Sequence, residues 1–311
     1  MNTPTITSYA QPLSKSSIGV LCGLAVALIW SGWTVATRLA MKTTLAPADV
    51  TMLRFGVSAL FLWPILLRQG MRIEGLRQIG IGRVCIMLVG AGVPFMMAAS
   101  VGMRFAPASH VATLMIGSMP IWVALLSAAL YGERFSRMQV CGLLSVIAGA
   151  ACMGGYALMA HRAQNEWLGD LLFLCGGLLF ASYTVTQRRS GISPWQATAL
   201  VNVGSALIFA PVYFLFLNPG IFSAPLRDVL FQVVAQGIFV AILAMFFYAE
   251  AVRRLGAPRA SIFGALAPAL AMLIEIPVLG EFPSAATLAG IALVMAGVVL
   301  MVTAAKRPKS A

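Results

Sequence analysis

Trp30, Trp33, Thr34 and Thr37 stand at i, i+3, i+4 and i+7, the spacing of one helix face. Phe180, Tyr183, Thr184 and Gln187 repeat the stripe 150 residues later. Aromatic rings interleaved with hydroxyls suit a wet cavity that handles partly apolar solutes. Helix packing or an interfacial aromatic belt would use the same residues, although the mid-run position of Trp30 disfavours the belt. Asn202 joins the cavity group as an amide able to bridge helices. Arg54 and Glu275 are charges within apolar runs, where an ionisable side chain is a functional candidate by default. Arg54 is read first as a structural or gating residue, snorkelling outward or paired with Asp49, and second as a substrate ligand. Glu275, two residues before Pro277, could bind a cation or a proton, or lie solvated near an interface.

The same inventory excludes most other chemistry. Hydrolysis or group transfer needs a nucleophile with a base, or clustered metal ligands. No apolar run holds a histidine and a carboxylate at helical spacing, so an enzyme would require a dyad assembled from distant helices. His110 and His161 are too far apart in sequence to argue a metal site. The five cysteines lie in apolar runs without a CxxC and read as small buried packing residues. No cofactor or metal is expected. The formal charge of +12 is scattered between apolar runs, so it argues topology rather than nucleic-acid binding.

Composition fixes the class of element that must position these residues. The chain of 311 residues is 60% hydrophobic and 10% charged, against about 25% charged in a soluble domain. Its mean hydropathy is +0.92. An all-α integral membrane protein is expected, with lipid as solvent. Ten apolar runs can each cross about 30 Å of hydrocarbon. They cover about 18–39, 48–67, 80–103, 107–130, 137–160, 167–188, 194–217, 229–251, 258–279 and 284–304. Residues 1–17 read as a disordered tail without a signal-peptide pattern, and 305–311 as a basic tail. With both termini placed in the cytoplasm of a cell inner membrane, inner segments carry 15 Lys and Arg and outer ones 5, the twenty-first being Arg54.

The chain repeats itself. Pro120, Gly132-Glu133, Ser136, Gly142 and Gly149 recur as Pro268, Gly280-Glu281, Ser284, Gly290 and Gly297, 148 residues later. Pro47, Thr51, Leu53, Ser58 and Pro64 recur at an offset of 147. Two units, 18–160 and 161–304, follow, each with five spans. Five is odd, so the second unit enters the membrane from the opposite side, the inverted repeat of many alternating-access transporters. Pro120 and Pro268 each remove an amide donor, freeing the carbonyls of Ile116 and Gly264, and should kink the fourth and ninth helices and set a gate. Gly132 and Gly280 suit left-handed helix ends, and Ser136 with Gln139 a capping box. Glu133 and Glu281 fall at helix ends, where hydrogen bonding or gating is expected. Gly90-Ala91-Gly92-Val93-Pro94 breaks the third span as a hinge or a packing notch.

Ile29-Trp30-Ser31-Gly32, Leu53-Arg54-Phe55 and the duplicated proline, Gly-Glu and paired-glycine pattern resemble the EamA-type ten-helix exporters of the drug/metabolite transporter superfamily. The resemblance covers about 18–304. It implies a basket of helices one to four and six to nine around a central cavity, with five and ten outside. It also implies export of amino acids or other small metabolites. A monomer or weak homodimer is expected. A flippase for a lipid-linked substrate is the alternative. Small multidrug exporters of the superfamily use a glutamate in their first helix, and 18–39 has no carboxylate, which counts against proton-coupled drug efflux.

Overall fold

The computed structural model describes residues 15–68, 79–132, 136–159, 165–280 and 282–305. Those residues form ten helical rods and no strand. They are α1 (Lys15–Met41), α2 (Pro47–Arg68), α3 (Ile81–Phe105), α4 (Ala108–Leu130), α5 (Arg137–Met159), α6 (Glu166–Arg189), α7 (Pro194–Phe216), α8 (Leu226–Leu255), α9 (Ala257–Ala260, Ser261–Leu266 and Ala267–Leu279) and α10 (Ala285–Ala305). Seven are long and apolar enough to cross a membrane, and the apolar cores of α5, α9 and α10 make up the ten. Large apolar side chains such as Leu60, Leu207 and Phe216 point outward at 70% exposure or more, as a lipid-facing surface requires. Cys85, Cys141 and Cys175 share that outward face; of the five cysteines only Cys22 is buried, which corrects their reading as core residues. The expected tails and Glu133 and Glu281 lie outside the described residues, except that residues 15–17 open α1.

The two five-helix units pack against each other more than within themselves. α1 lies on α8 and α9, α6 lies on α3 and α4, and α2 pairs with α7 and α5 with α10. Moving five helices along the chain exchanges every one of these pairs, which is the signature of a two-fold axis. The α5–α10 crossing shows its direction. Gly142 abuts the Gly297 carbonyl, and Gly149 abuts that of Gly290. Gly142 and Gly290 are repeat counterparts, as are Gly149 and Gly297, so the contact is self-complementary. Residue numbers rise along α5 as they fall along α10, so the two helices are antiparallel. An axis relating antiparallel counterparts is perpendicular to them and lies in the membrane plane. The repeat is therefore inverted, with α5 and α10 packed chiefly on each other at its edge.

Local chemistry repeats across the axis. Gly132 and Gly280 end α4 and α9 in left-handed geometry with φ of 67° in both. Ser136 and Gln139 form the reciprocal cap of α5, and Ser284 caps Thr287 on α10. α3 breaks at Gly92. Gly90, just before it, lets α3 press on α6, where an added Cβ would sit 2.6 Å from the Leu179 carbonyl.

The α5–α10 crossing predicts how it fails. Gly142→Ala and Gly297→Ala each place a methyl within 2.6 Å of the opposing carbonyl. Overpacking of this kind costs about 1–3 kcal/mol. Thermal unfolding in detergent should show both variants with a lower midpoint, whereas Gly82→Ala, with open space at its Cβ, should unfold at or above the parent temperature.

Candidate functional site

The two aromatic stripes meet at the middle of the bundle. Trp30 and Phe180 occupy matching repeat positions, and their rings pack edge-on at 5.5 Å. Counterparts in contact must straddle the two-fold axis. Tyr248 from α8 closes on Trp30 at 5.0 Å and on Phe180 at 5.3 Å, while Phe95 from α3 joins Phe180 at 5.1 Å and Trp33 at 5.8 Å. Tyr183 extends the layer from Phe180 at 5.3 Å. The stripes expected to line a cavity thus face each other ring to ring. The Thr34 hydroxyl turns back to the Ser31 carbonyl, whereas that of Thr184 meets Tyr248 at 3.0 Å. Tyr248 and Phe95 were not legible as site residues, because Phe246-Phe247-Tyr248 and Val93-Pro94-Phe95 carry no helical alternation of aromatic and hydroxyl residues.

Arg54 lies beside this layer. It is 2% exposed, with its guanidinium carbon 5.5, 5.6 and 5.9 Å from the ring centres of Trp33, Phe55 and Phe95. Its Nη1 reaches the Met96 sulfur at 3.6 Å. Neither expected partner holds it. Burial stops it snorkelling to water, and Asp49 is committed elsewhere: Oδ1 accepts from the Tyr213 hydroxyl and the Gly220 N–H, and Oδ2 from the Ala46 N–H. Cation–π attraction contributes about 2 kcal/mol or more where water is excluded, yet no carboxylate among the described residues pairs with Arg54. Its Nε is buried without a hydrogen-bond partner, as are Trp33 Nε1 and the Tyr183 hydroxyl. Trp and Arg side chains can only donate. Arg54 and Trp33 are thus buried donors that lack an acceptor, while the Tyr183 hydroxyl could donate or accept.

Amides and hydroxyls stitch the halves together around this layer. Asn202 accepts from Ser58 across the halves at 2.9 Å and donates to the carbonyls of Thr198 and Ala241. Gln236 donates to Thr37, and Gln232 to the Ala36 carbonyl, both on α1. Pro120 and Pro268 each open the second segment of a broken helix. Before Pro120, residues Val111–Gly117 widen into a π-helix, closed by a Ser118 N–H to Thr113 carbonyl bond. Before Pro268, Ser261–Leu266 tighten into a 3₁₀-helix. The Ile116 carbonyl, freed by Pro120, points at Gly264 of the opposing break, 2.8 Å from where a Cβ would stand. Glu275 is 1% exposed, which overturns its reading as a solvated interfacial group.

A polar cavity of about 750 Å³, lined by Gln187, Arg188, Ser193, Gln196 and Arg253, opens at the end of the bundle carrying the α6–α7 connection. A smaller one of about 230 Å³, lined by Thr43, Arg227, Asp228 and Gln232, opens at the opposite end. A polar side-chain pair lies at that opposite end: His110 on α4 contacts Asp170 of α6 at 2.8 Å. This histidine–carboxylate pair joins helices 60 residues apart, so helical spacing could not reveal it. The clue in the sequence is Glu166 with Asp170, two carboxylates one turn apart on the α6 face.

Asn202→Ala should leave the Ala241 carbonyl without its amide donor and cost about 1–3 kcal/mol. Chemical denaturation in micelles checks this; an unchanged midpoint would show that the bridge contributes nothing.

A family model described as the EamA-like transporter family matches residues 17–155 and again 167–303. The aromatic amino acid exporter YddG of Ancylobacter novellus is 25% identical over 296 residues, 95% of this chain and 100% of the relative. A probable terminal-alkyne amino-acid exporter of Streptantibioticus cattleyicolor is 26% identical over 61% of this chain and 63% of its own length. The uncharacterized transporter YyaM of Bacillus subtilis is 23% identical over 75% of this chain and 77% of its own. A solved crystal structure superposes with a TM-score of 0.65 at 24% identity, covering 96% of this chain and all of the other, which supports the fold.

Proposed function

Because the chain belongs to the EamA-like transporter family, it is a multi-pass membrane transporter and not an enzyme, and we propose that it exports amino acids with aromatic or other apolar side chains. The observation that carries this is the pair of unpartnered donors, on Arg54 and Trp33, in the middle of the bundle. Arg54 Nε, Trp33 Nε1 and the Tyr183 hydroxyl are buried without partners beside a layer of aromatic rings. A solute carboxylate supplies the missing acceptor, and Arg54 binds it as a charge-assisted pair. Trp30, Trp33, Phe180 and Tyr183 receive its side chain by parting, with Tyr248 and Phe95 behind them. Thr34, Thr184 and Asn202 line the same space once the rings separate.

Movement follows from the inverted halves. The layer blocks passage between the two end cavities, so solute crosses when the halves rock and each end opens in turn. Pro120 and Pro268, with their freed carbonyls and altered helix pitch, are the gate hinges. Both halves of the site come from one chain, so one copy carries a whole site, and the working unit is a monomer or weak homodimer in the cell inner membrane. Its termini face the cytoplasm, the side favoured 15 to 5 by Lys and Arg. A lipid-linked cargo would need a polar lateral opening. The grooves on the lipid face between α1 and α8 and between α2 and α7 are lined by apolar side chains and do not offer one.

Purified protein should be stabilised by phenylalanine, since a ligand that binds only the native state raises its unfolding temperature. Phenethylamine, which lacks the carboxylate, should not stabilise it. Arg54→Gln should abolish the difference, and Trp33→Ala and Pro120→Ala should lower phenylalanine efflux from proteoliposomes. Equal stabilisation by both compounds, or wild-type efflux in all three variants, would overturn the assignment.

A further inference from the structure

His110 is 2% exposed in the first turn of α4. Its Nδ1 lies 2.8 Å from Asp170 Oδ1, and its Nε2 lies 3.3 Å from Thr287 Oγ1 and 3.5 Å from Glu166 Oε1. Thr287 Oγ1 in turn meets Ser284 Oγ at 2.9 Å. One imidazole therefore joins α4 to α6 and α10. The charge of Arg38 on α1 reaches Glu166, and α9, the helix that carries Glu275, packs on the same turn of α4. Asp170 is 6% exposed, and its second oxygen is buried with no hydrogen-bond partner.

The protonation state of the ring decides whether this arrangement attracts or repels. With the ring neutral and its Nδ1–H given to Asp170, the Nε2 lone pair faces a carboxylate oxygen of Glu166. Only the Thr287 hydroxyl can donate to it. A proton on Nε2 converts that repulsion into an N–H aimed at both Glu166 and Thr287. It also places a positive charge between two carboxylates. We propose that His110, with Asp170 and Glu166, is a proton-binding site that governs export by tightening α4 onto α6 and α10 when occupied. α4 carries the break at Pro120, and α6 carries Phe180 and Tyr183. The proton thus acts on the two elements that must separate for solute to pass. The site lies at the end of the bundle carrying the α5–α6 connection, the outer side by the Lys and Arg distribution.

The control of export rests on the transport reading; proton binding itself does not. The chain has two histidines, so ¹⁵N-histidine NMR of a His161→Gln protein in nanodiscs follows His110 alone. Its ring ¹⁵N shifts, followed from about pH 8 down to 5, should pass from the neutral to the imidazolium pattern. Asp170→Asn and Glu166→Gln should each change the midpoint, because each removes a carboxylate in contact with the ring. A His110 that does not titrate in that range, or a midpoint unmoved by both variants, overturns the site. Phenylalanine exchange by the wild-type protein in proteoliposomes should change roughly fivefold across the same range, a typical coupling between two sites. Exchange that proceeds at a constant rate overturns the control. Absence of any exchange contradicts the transport reading instead, and the NMR titration still decides whether the proton site exists.

Discussion

The structure depends on two counterpart helices lying antiparallel in close contact. The Gly142–Gly297 and Gly149–Gly290 approaches need bare α-carbons, because each neighbouring carbonyl occupies the space a Cβ would take. Lipid offers no hydrophobic reward for bringing helices together, so small residues that permit close backbone approach supply much of the association. Once counterpart helices pack antiparallel, a two-fold axis in the membrane plane follows. Trp30 and Phe180 then meet across that axis, and the middle of the bundle becomes a junction between two similar halves.

Symmetry positions the site, and departures from symmetry give it chemistry. Arg54 faces no second arginine, since its counterpart is Val201, and Glu275 is matched by Ser127. His110 corresponds to Pro258 at the same offset. The two breaks also differ, widening before Pro120 and tightening before Pro268. A strictly symmetric pair of halves would present the same surface to both sides of the membrane. Arg54 leaves a buried cation on one side of the axis, beside the ring of Trp33.

Much of the scaffold was legible because membrane burial writes strong signals. Ten runs of apolar residues, paired glycines at one offset and prolines inside runs each carry a physical meaning that survives without tertiary information. The caps at Ser136 and Ser284 and the left-handed glycines followed from local chemistry alone. What the sequence concealed depends on contacts between distant helices. Arg54 turned to rings on α1 and α3 rather than to Asp49, five residues away, because Asp49 is held by Tyr213 and the backbone of Gly220. The His110–Asp170 pair and the place of Tyr248 in the central layer depend in the same way on which helices touch. A one-dimensional period cannot carry that information.

If the halves rock as proposed, one end closes as the other opens. Electron–electron distances report this directly in a background lacking the five native cysteines. One spin-label pair, at Thr44 and Arg227, reports on the smaller cavity, and another, at Arg188 and Leu255, on the larger. Adding phenylalanine should shift the two distance distributions in opposite directions. Distances that stay fixed, or that lengthen together, would contradict it.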